Sequence, residues 1–216
     1  MIRGAIEPAE SKYDRSTPYS ALSAEIHQFA ESLGNAIDAK DHFTKLHSEE
    51  VAIVSHILAL ALGLPLAIAD HIHIAGHLHD LGKIGIADKV LQKQGPLDDN
   101  EWDEIKKHPI IGAEILKPVG YLAASGIADM VYHHHERFDG AGYPDGLKGE
   151  NIPLGSRIIS LADGLSAMLQ DRPYRSKMTF EEAVNEILGQ NGTYYDPTVV
   201  HAFLSRLAII REALGR

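Results

Sequence analysis

The chain has no cysteine in its 216 residues, which excludes a disulfide scaffold, a thiolate-ligated zinc site and a thiol nucleophile. It has one tryptophan but thirteen histidines, so any bound metal must be held by His, Asp and Glu. An excess of positive charge is missing too: 20 Lys and Arg against 30 Asp and Glu leave a net charge of −10. That balance argues against long nucleic acid as a partner, because such binding depends on neutralising phosphates. It leaves room for a small anionic ligand held by a metal or a local basic cluster. A long hydrophobic run is also lacking. The apolar stretch at 51–69 is interrupted by Ser55 and His56 and broken at Gly63 and Pro65, so it reads as two core helices joined at Gly-Leu-Pro and not as a membrane span. The first twenty residues carry two prolines and no apolar h-region, so they are not a secretory signal. A soluble, cytoplasmic protein is expected.

What remains is enough for one domain with a hydrophobic core. Residues 1–20 read as a flexible arm or linker remnant and 21–216 as the domain. Helical periodicity predicts an all-α fold of about seven to eight helices, over 20–40, 48–62, 66–82, 99–116, 119–135, 154–170, 179–189 and 197–213. Asp98-x-x-Glu101 and Thr179-x-x-Glu182 have the form of capping boxes, and Asp196-Pro197 puts an N-cap before a proline. No period-two alternation long enough for a sheet and no internal repeat is present. Residues 137–153, RFDGAGYPDGLKGENIP, hold four glycines and two prolines and predict a long loop, a feature more often functional than idle.

Three segments carry chemistry. In HLHDLGK, residues 77–83, His79 and Asp80 are adjacent and Lys83 shares a helix face with His79, amid Ile72, Ile74, Leu78, Leu81, Ile84 and Ile86. Burying these groups together is costly unless they are paired or bind a metal. In VYHHHERFDG, residues 131–140, adjacent histidines lead into the glycine-rich loop. They could serve as cations at a helix C-terminus or as ligands at a cavity mouth. Asp163 lies in the apolar RIISLADGLSAML and needs a cation or several donors. His47 opens one helix and His108 precedes Pro109; each is unremarkable alone. Taken in order, His47, His79, Asp80, His108, His134, His135 and Asp163 supply two sets of about four ligands if Asp80 bridges. Two ions roughly 3.5–4 Å apart suit phosphoryl displacement.

From Ala36 (NAIDAKDHFTKLHS) to Phe203 (YDPTVVHAF) the chain resembles the HD-GYP phosphodiesterases, a branch of the HD metal-dependent phosphohydrolases. HHERFDGAGYPDGLKGENIP keeps the family spacing, and HDLGK, KHPIIGAEIL and DRPYR reinforce it. The resemblance implies an HD-domain helical bundle with a GYP loop. It implies that His47, His79, Asp80 and Asp163 hold one divalent metal, and that Asp80, His108, His134 and His135 hold a second, iron or manganese. Lys83 would meet the scissile phosphate; Gly142, Tyr143 and Pro144 would border the site; Arg172 and Arg175 would contact a cyclic dinucleotide. The implied activity is hydrolysis of cyclic di-GMP by a metal-bridging hydroxide, giving pGpG and, if a second cut occurs, GMP. Rival readings are a cyclic GMP-AMP hydrolase, another nucleotide phosphohydrolase, or a low-turnover sensor or docking module. A homodimer or a signalling-protein partner is compatible with all of them.

Three departures from the family pattern matter. Phe43 stands where some members carry a glutamate for a third metal, so two metals are expected. Ala87 replaces a frequent proline, and Ser166 replaces a second aspartate; if that aspartate supports the metal shell, its loss here would loosen ligand orientation. His27, His42, His56, His71, His73, His77, His133 and His201 match no family ligand. His73 and His77, one turn apart, could hold an adventitious metal but read more simply as surface or core histidines. Tyr194 and Tyr195 read as packing residues for the last helix.

Overall fold

The computed structural model describes residues 18–41, 46–171 and 176–216. His42, Phe43, Arg172, Arg175 and all but the end of the expected N-terminal arm lie outside these. In order come α1 (Pro18–Lys40), α2 (His47–Ala61), α3 (Leu66–Leu78), a 3₁₀ turn (Leu81–Gly85), α4 (Asp88–Leu91), α5 (Asp99–Ile105) and α6 (His108–Leu116). Then follow α7 (Gly120–Ala124), α8 (Ile127–Tyr132), a second 3₁₀ turn (Gly149–Asn151), α9 (Leu154–Leu169), α10 (Phe180–Gly189), α11 (Pro197–Leu204) and α12 (Leu207–Ala213). Among the described residues there is no strand, only one isolated bridge, Asn191 to Tyr195. The all-α expectation is borne out.

Several expected helices divide, so the bundle has more and shorter pieces than the periodicity predicts. The 99–116 segment breaks before His108, because Pro109 has no N–H to give the Ile105 carbonyl, which takes the His108 side chain instead. The 119–135 segment breaks at Gly126, whose φ of 77° is left-handed and ends α7. The 197–213 segment breaks at Ser205, whose hydroxyl turns back onto the Ala202 carbonyl at 2.7 Å. An apolar stripe runs on across each break, which is why spacing alone misses it. The predicted starts hold: Asp98–Glu101 and Thr179–Glu182 are reciprocal capping boxes, and the Asp196 side chain caps α11 at Thr198 N, 2.7 Å.

The hairpin of α2 and α3 is the centre of the bundle, with α9 across α2, α1 and α8 against α3, and α6 against α8. Val51, Val54 and Leu58 of α2, Ile72 and Ala75 of α3, and Ile158, Leu161 and Leu165 of α9 recur every three or four residues and are buried in one core. No described helix is long and apolar enough to cross a membrane.

Close approach decides where α3 stops. A Cβ on Gly82 would lie 1.8 Å from the His108 carbonyl oxygen and 2.5 Å from Gly112 N. Only glycine lets the 3₁₀ turn lie directly on the start of α6, and that contact brings Asp80 beside His108.

Candidate metal centre

Five chain segments deliver the histidines and aspartates singled out from sequence to one buried place. His47 opens α2, behind Leu46 at a left-handed φ of 61°. His79 caps the end of α3 and Asp80 precedes the 3₁₀ turn. His108 opens α6, His134 and His135 follow α8, and Asp163 sits within α9. His47, His79, His108 and His134 are almost fully buried.

Asp80 stands between two groups. Its Oδ2 lies 3.3 Å from His79 Nε2 and 3.7 Å from His47 Nε2, whereas its Oδ1 lies 3.3 Å from His108 Nε2. Asp163 Oδ1 joins the first group, 3.3 Å from His47 Nε2. His134 joins the second, its Nε2 3.3 Å from His108 Nε2, and the His135 ring packs on His134 with centroids 4.1 Å apart. Ligand atoms of His47, His79 and Asp80 fall within 4.8 Å of one another, as do those of His108, His134 and His135.

Backbone carbonyls aim the rings. The Nδ1 of His79 donates to Gly76 O at 2.7 Å, that of His108 to Ile105 O at 2.8 Å and that of His134 to Val131 O at 2.6 Å. His47 Nδ1 donates to Ser166 Oγ at 2.9 Å. In the His108 and His134 rings the proton is thereby fixed on the outer nitrogen and the inner Nε2 keeps its lone pair.

The electrostatics favour a cation. Burial pushes the imidazoles of His108 and His135 down to about 3, and His134 well below its ordinary range. The facing Nε2 atoms of His108 and His134 are therefore two lone pairs, at about the spacing of neighbouring ligands bound at roughly 2.0–2.1 Å. His79 Nε2, though near Asp80, makes no directed hydrogen bond and is a buried orphan. Burial opposes its protonation, but the Asp80 and Asp163 carboxylates prevail and push it up to about 9. Burial likewise opposes ionisation of Asp80, and Lys83 ahead of His79 outweighs it, holding the carboxyl well below its usual value. Asp163 is held down in the same way by His47. The neutral imidazoles of His108, His134 and His135, with two ionised carboxylates whose field draws positive charge onto the orphaned His79 nitrogen, fit divalent cations of the first transition row.

Lys83 Nζ bridges Asp80 Oδ2 at 2.8 Å and Asp41 Oδ2 at 2.9 Å. Asp41 was not apparent from sequence; its only mark there is its place in NAIDAKDHFTKLHS. The glycine-rich loop closes one side. Tyr143 stacks on His135 with centroids 4.9 Å apart, and the Tyr143–Pro144 peptide is cis. Gly142 is required because a Cβ there would lie 2.3 Å from Arg137 N. Buried Glu136 ties the loop down, accepting from Asp145 N at 2.7 Å and Leu147 N at 3.0 Å. Its role was hidden in a motif recognised only as HHE.

The HD domain family model matches residues 31–199. The chain belongs to the HD domain family. Among curated proteins, this HD domain is 39% identical to the cyclic di-GMP phosphodiesterase response regulator RpfG of Xanthomonas campestris, over 85% of this chain and 49% of that protein. It is 38% identical to a cyclic di-GMP phosphodiesterase of Thermotoga maritima, over 83% of this chain and 49% of the relative. It is 36% identical to the 3'3'-cGAMP-specific phosphodiesterase 2 of Vibrio cholerae, over 80% and 33%. The HD domain thus spans about half or less of the length of these relatives. A solved cyclic GMP-AMP phosphodiesterase of V. cholerae superposes with a TM-score of 0.68 at 20% identity, over 85% of this chain and 49% of that one. An HDG"Y"P protein of Bdellovibrio bacteriovorus gives 0.64 at 17% identity, over 88% and 63%. At such identities the superpositions speak for the fold. The HD-GYP resemblance drawn from the motifs is borne out.

Proposed function

We propose that this HD domain is a metal-dependent phosphodiesterase acting on a cyclic dinucleotide, cyclic di-GMP first, with pGpG as product and GMP if a second cut follows. The observation that carries the reading is the division of Asp80, one oxygen toward His47 and His79 and the other toward His108. A carboxylate so disposed suits two divalent ions. His47, His79, Asp80 and Asp163 would hold one, and Asp80, His108, His134 and His135 the other, iron or manganese. When bound, such a pair supplies Lewis acidity and a nucleophile at neutral pH.

The chain's own residues supply the rest. Lys83 is raised above its ordinary value by Asp80 and Asp41 against the cost of burial, so it stays an ammonium and meets the negative charge developing on the phosphate. Tyr143, fixed over His135, walls the site beside the loop of Gly142 and Pro144. Arg172 and Arg175, outside the described residues, are assigned to the dinucleotide, whose phosphates and guanine edges match the guanidinium fork. An enzyme on such a substrate would work in the cytoplasm.

The relatives' names supply both cyclic di-GMP and 3'3'-cGAMP as substrates, so the test offers each. Protein purified without oxygen is supplied with ferrous iron or manganese, incubated with either dinucleotide and chromatographed. Cyclic di-GMP is expected to give linear products, and Asp80→Ala to lose both ions and the activity. Retention of two ions and full turnover by Asp80→Ala would refute the bridging assignment. Cleavage of cyclic GMP-AMP alone would move the substrate, and two bound ions without turnover would make the domain a sensor.

A further inference from the structure

Outside the central site, three more imidazoles meet where α1 crosses α3. His27 Nε2 of α1 lies 2.8 Å from His73 Nε2 of α3, and the His77 ring, one turn further along, stands edge-on to both, with centroids 4.8 Å from His73 and 5.7 Å from His27. One nitrogen from each falls within 4.8 Å of the other two. We propose that His27, His73 and His77 form a second, separate transition-metal site of the zinc class, which clamps α1 onto α3.

Three observations support it. His73 Nδ1 donates to the Ala52 carbonyl at 2.9 Å, the outer hydrogen bond that metal-ligating histidines use to present a basic Nε2. Burial holds His73 down to about 4, so its ring is neutral and its lone pair is free for an ion. His77 is only 4% exposed, and its ring stands edge-on to both of the others. A buried imidazole aimed edge-on at two others brings a third ligand nitrogen to the pair, an arrangement that suits an ion.

The plain alternative is a hydrogen bond from His27 to His73. It makes no use of the His77 ring, a nitrogen of which lies within 4.8 Å of both. His27 is half-buried, so its ring can swing out to the roughly 3.0–3.4 Å spacing of neighbouring ligands. Three imidazoles with no carboxylate among them select zinc, cobalt, nickel or copper over magnesium or calcium. His56, held by Asp70 at 3.1 Å, packs its ring 5.5 Å from His73 and closes one flank. On α3, His77 and His79 are two residues apart and so on opposite faces. The clamp and the central site therefore share one helix without sharing a ligand, and the proposal does not depend on the phosphodiesterase reading.

The test uses protein made without a polyhistidine tag and carrying Asp80→Ala and His134→Ala, so that the central residues no longer bind. Zn²⁺ is titrated against a chromophoric chelator, and Co²⁺ is followed by visible absorption. One equivalent per chain is expected, with a Zn²⁺-dependent rise in Tm. Adding His27→Ala should raise the dissociation constant at least about tenfold, remove the Co²⁺ bands and abolish the rise. Equal binding with and without His27, or no binding in either, would overturn the proposal. Circular dichroism checks the fold of each variant. If the double variant does not fold, wild type against His27→Ala reads the same quantity, as a difference of one bound Zn²⁺ per chain.

Discussion

At position 166 a hydroxyl links a candidate ligand to the protein around it. Ser166 Oγ accepts from His47 Nδ1 and donates to Glu50 Oε2 at 2.7 Å, and Glu50 is in turn held by Arg216 at 2.8 Å. This relay fixes the angle of His47 as the backbone carbonyls do for His79, His108 and His134. Ser166→Ala should weaken the ion beside His47 by about 10- to 100-fold while sparing the one beside His108. Metal titration monitored by elemental analysis reads this directly, and an unchanged affinity would show the relay to be idle. The ligand types were legible in the sequence because buried His and Asp on apolar segments demand a partner. The relay was legible only in part: Ser166 stood out as the replacement of a family aspartate, but its partner His47 lies 119 positions away and nothing in the sequence pairs them.

Elements set the distances that side chains then use. Gly82 lets the 3₁₀ turn touch α6, so Gly82→Ala forces the turn away and separates Asp80 from His108. Its Cβ would meet backbone that cannot swing aside. The expected result is loss of the second ion together with a fall in stability of about 1–3 kcal/mol, read as metal content and as the urea midpoint. Full metal content in that variant would mean that the turn does not position Asp80. The glycine-rich loop depends in the same way on Glu136. Glu136→Ala leaves the Asp145 and Leu147 amides without their acceptor, at a cost of about 2 kcal/mol or more. It should raise KM and open the loop to protease while the ions stay bound; a KM and cleavage rate like those of wild type would deny it that role. Helices were legible here from apolar spacing and caps. Their breaks at Gly126 and Ser205 were not, because a stripe that serves the core crosses them unchanged. The necessity of Gly82 lay in a contact with α6, which HDLGK alone does not disclose.

Across the whole molecule, the central histidines and aspartates tie α2, α3, α6, the end of α8 and α9 to one point, although they span residues 47 to 163. An ion held there binds the folded chain and not the unfolded one, because the unfolded chain does not bring these ligands together. Its binding free energy is therefore added to the stability of the fold. At one hundred times the dissociation constant, a single site contributes about 2.7 kcal/mol. For a chain of this length that corresponds to roughly 5–10 °C in Tm per ion, so stripping the ions with a chelator should lower Tm by at least that amount and manganese should restore it. The measurement belongs on the His27→Ala background, where the clamp between α1 and α3 is removed and the central residues alone respond. In Asp80→Ala on that background the chelator should leave Tm nearly unchanged, because both candidate ligand sets lose the carboxylate they share. A large chelator effect that survives Asp80→Ala would mean that the ions stabilise the bundle from somewhere else, and that the convergence of these segments is held by packing alone.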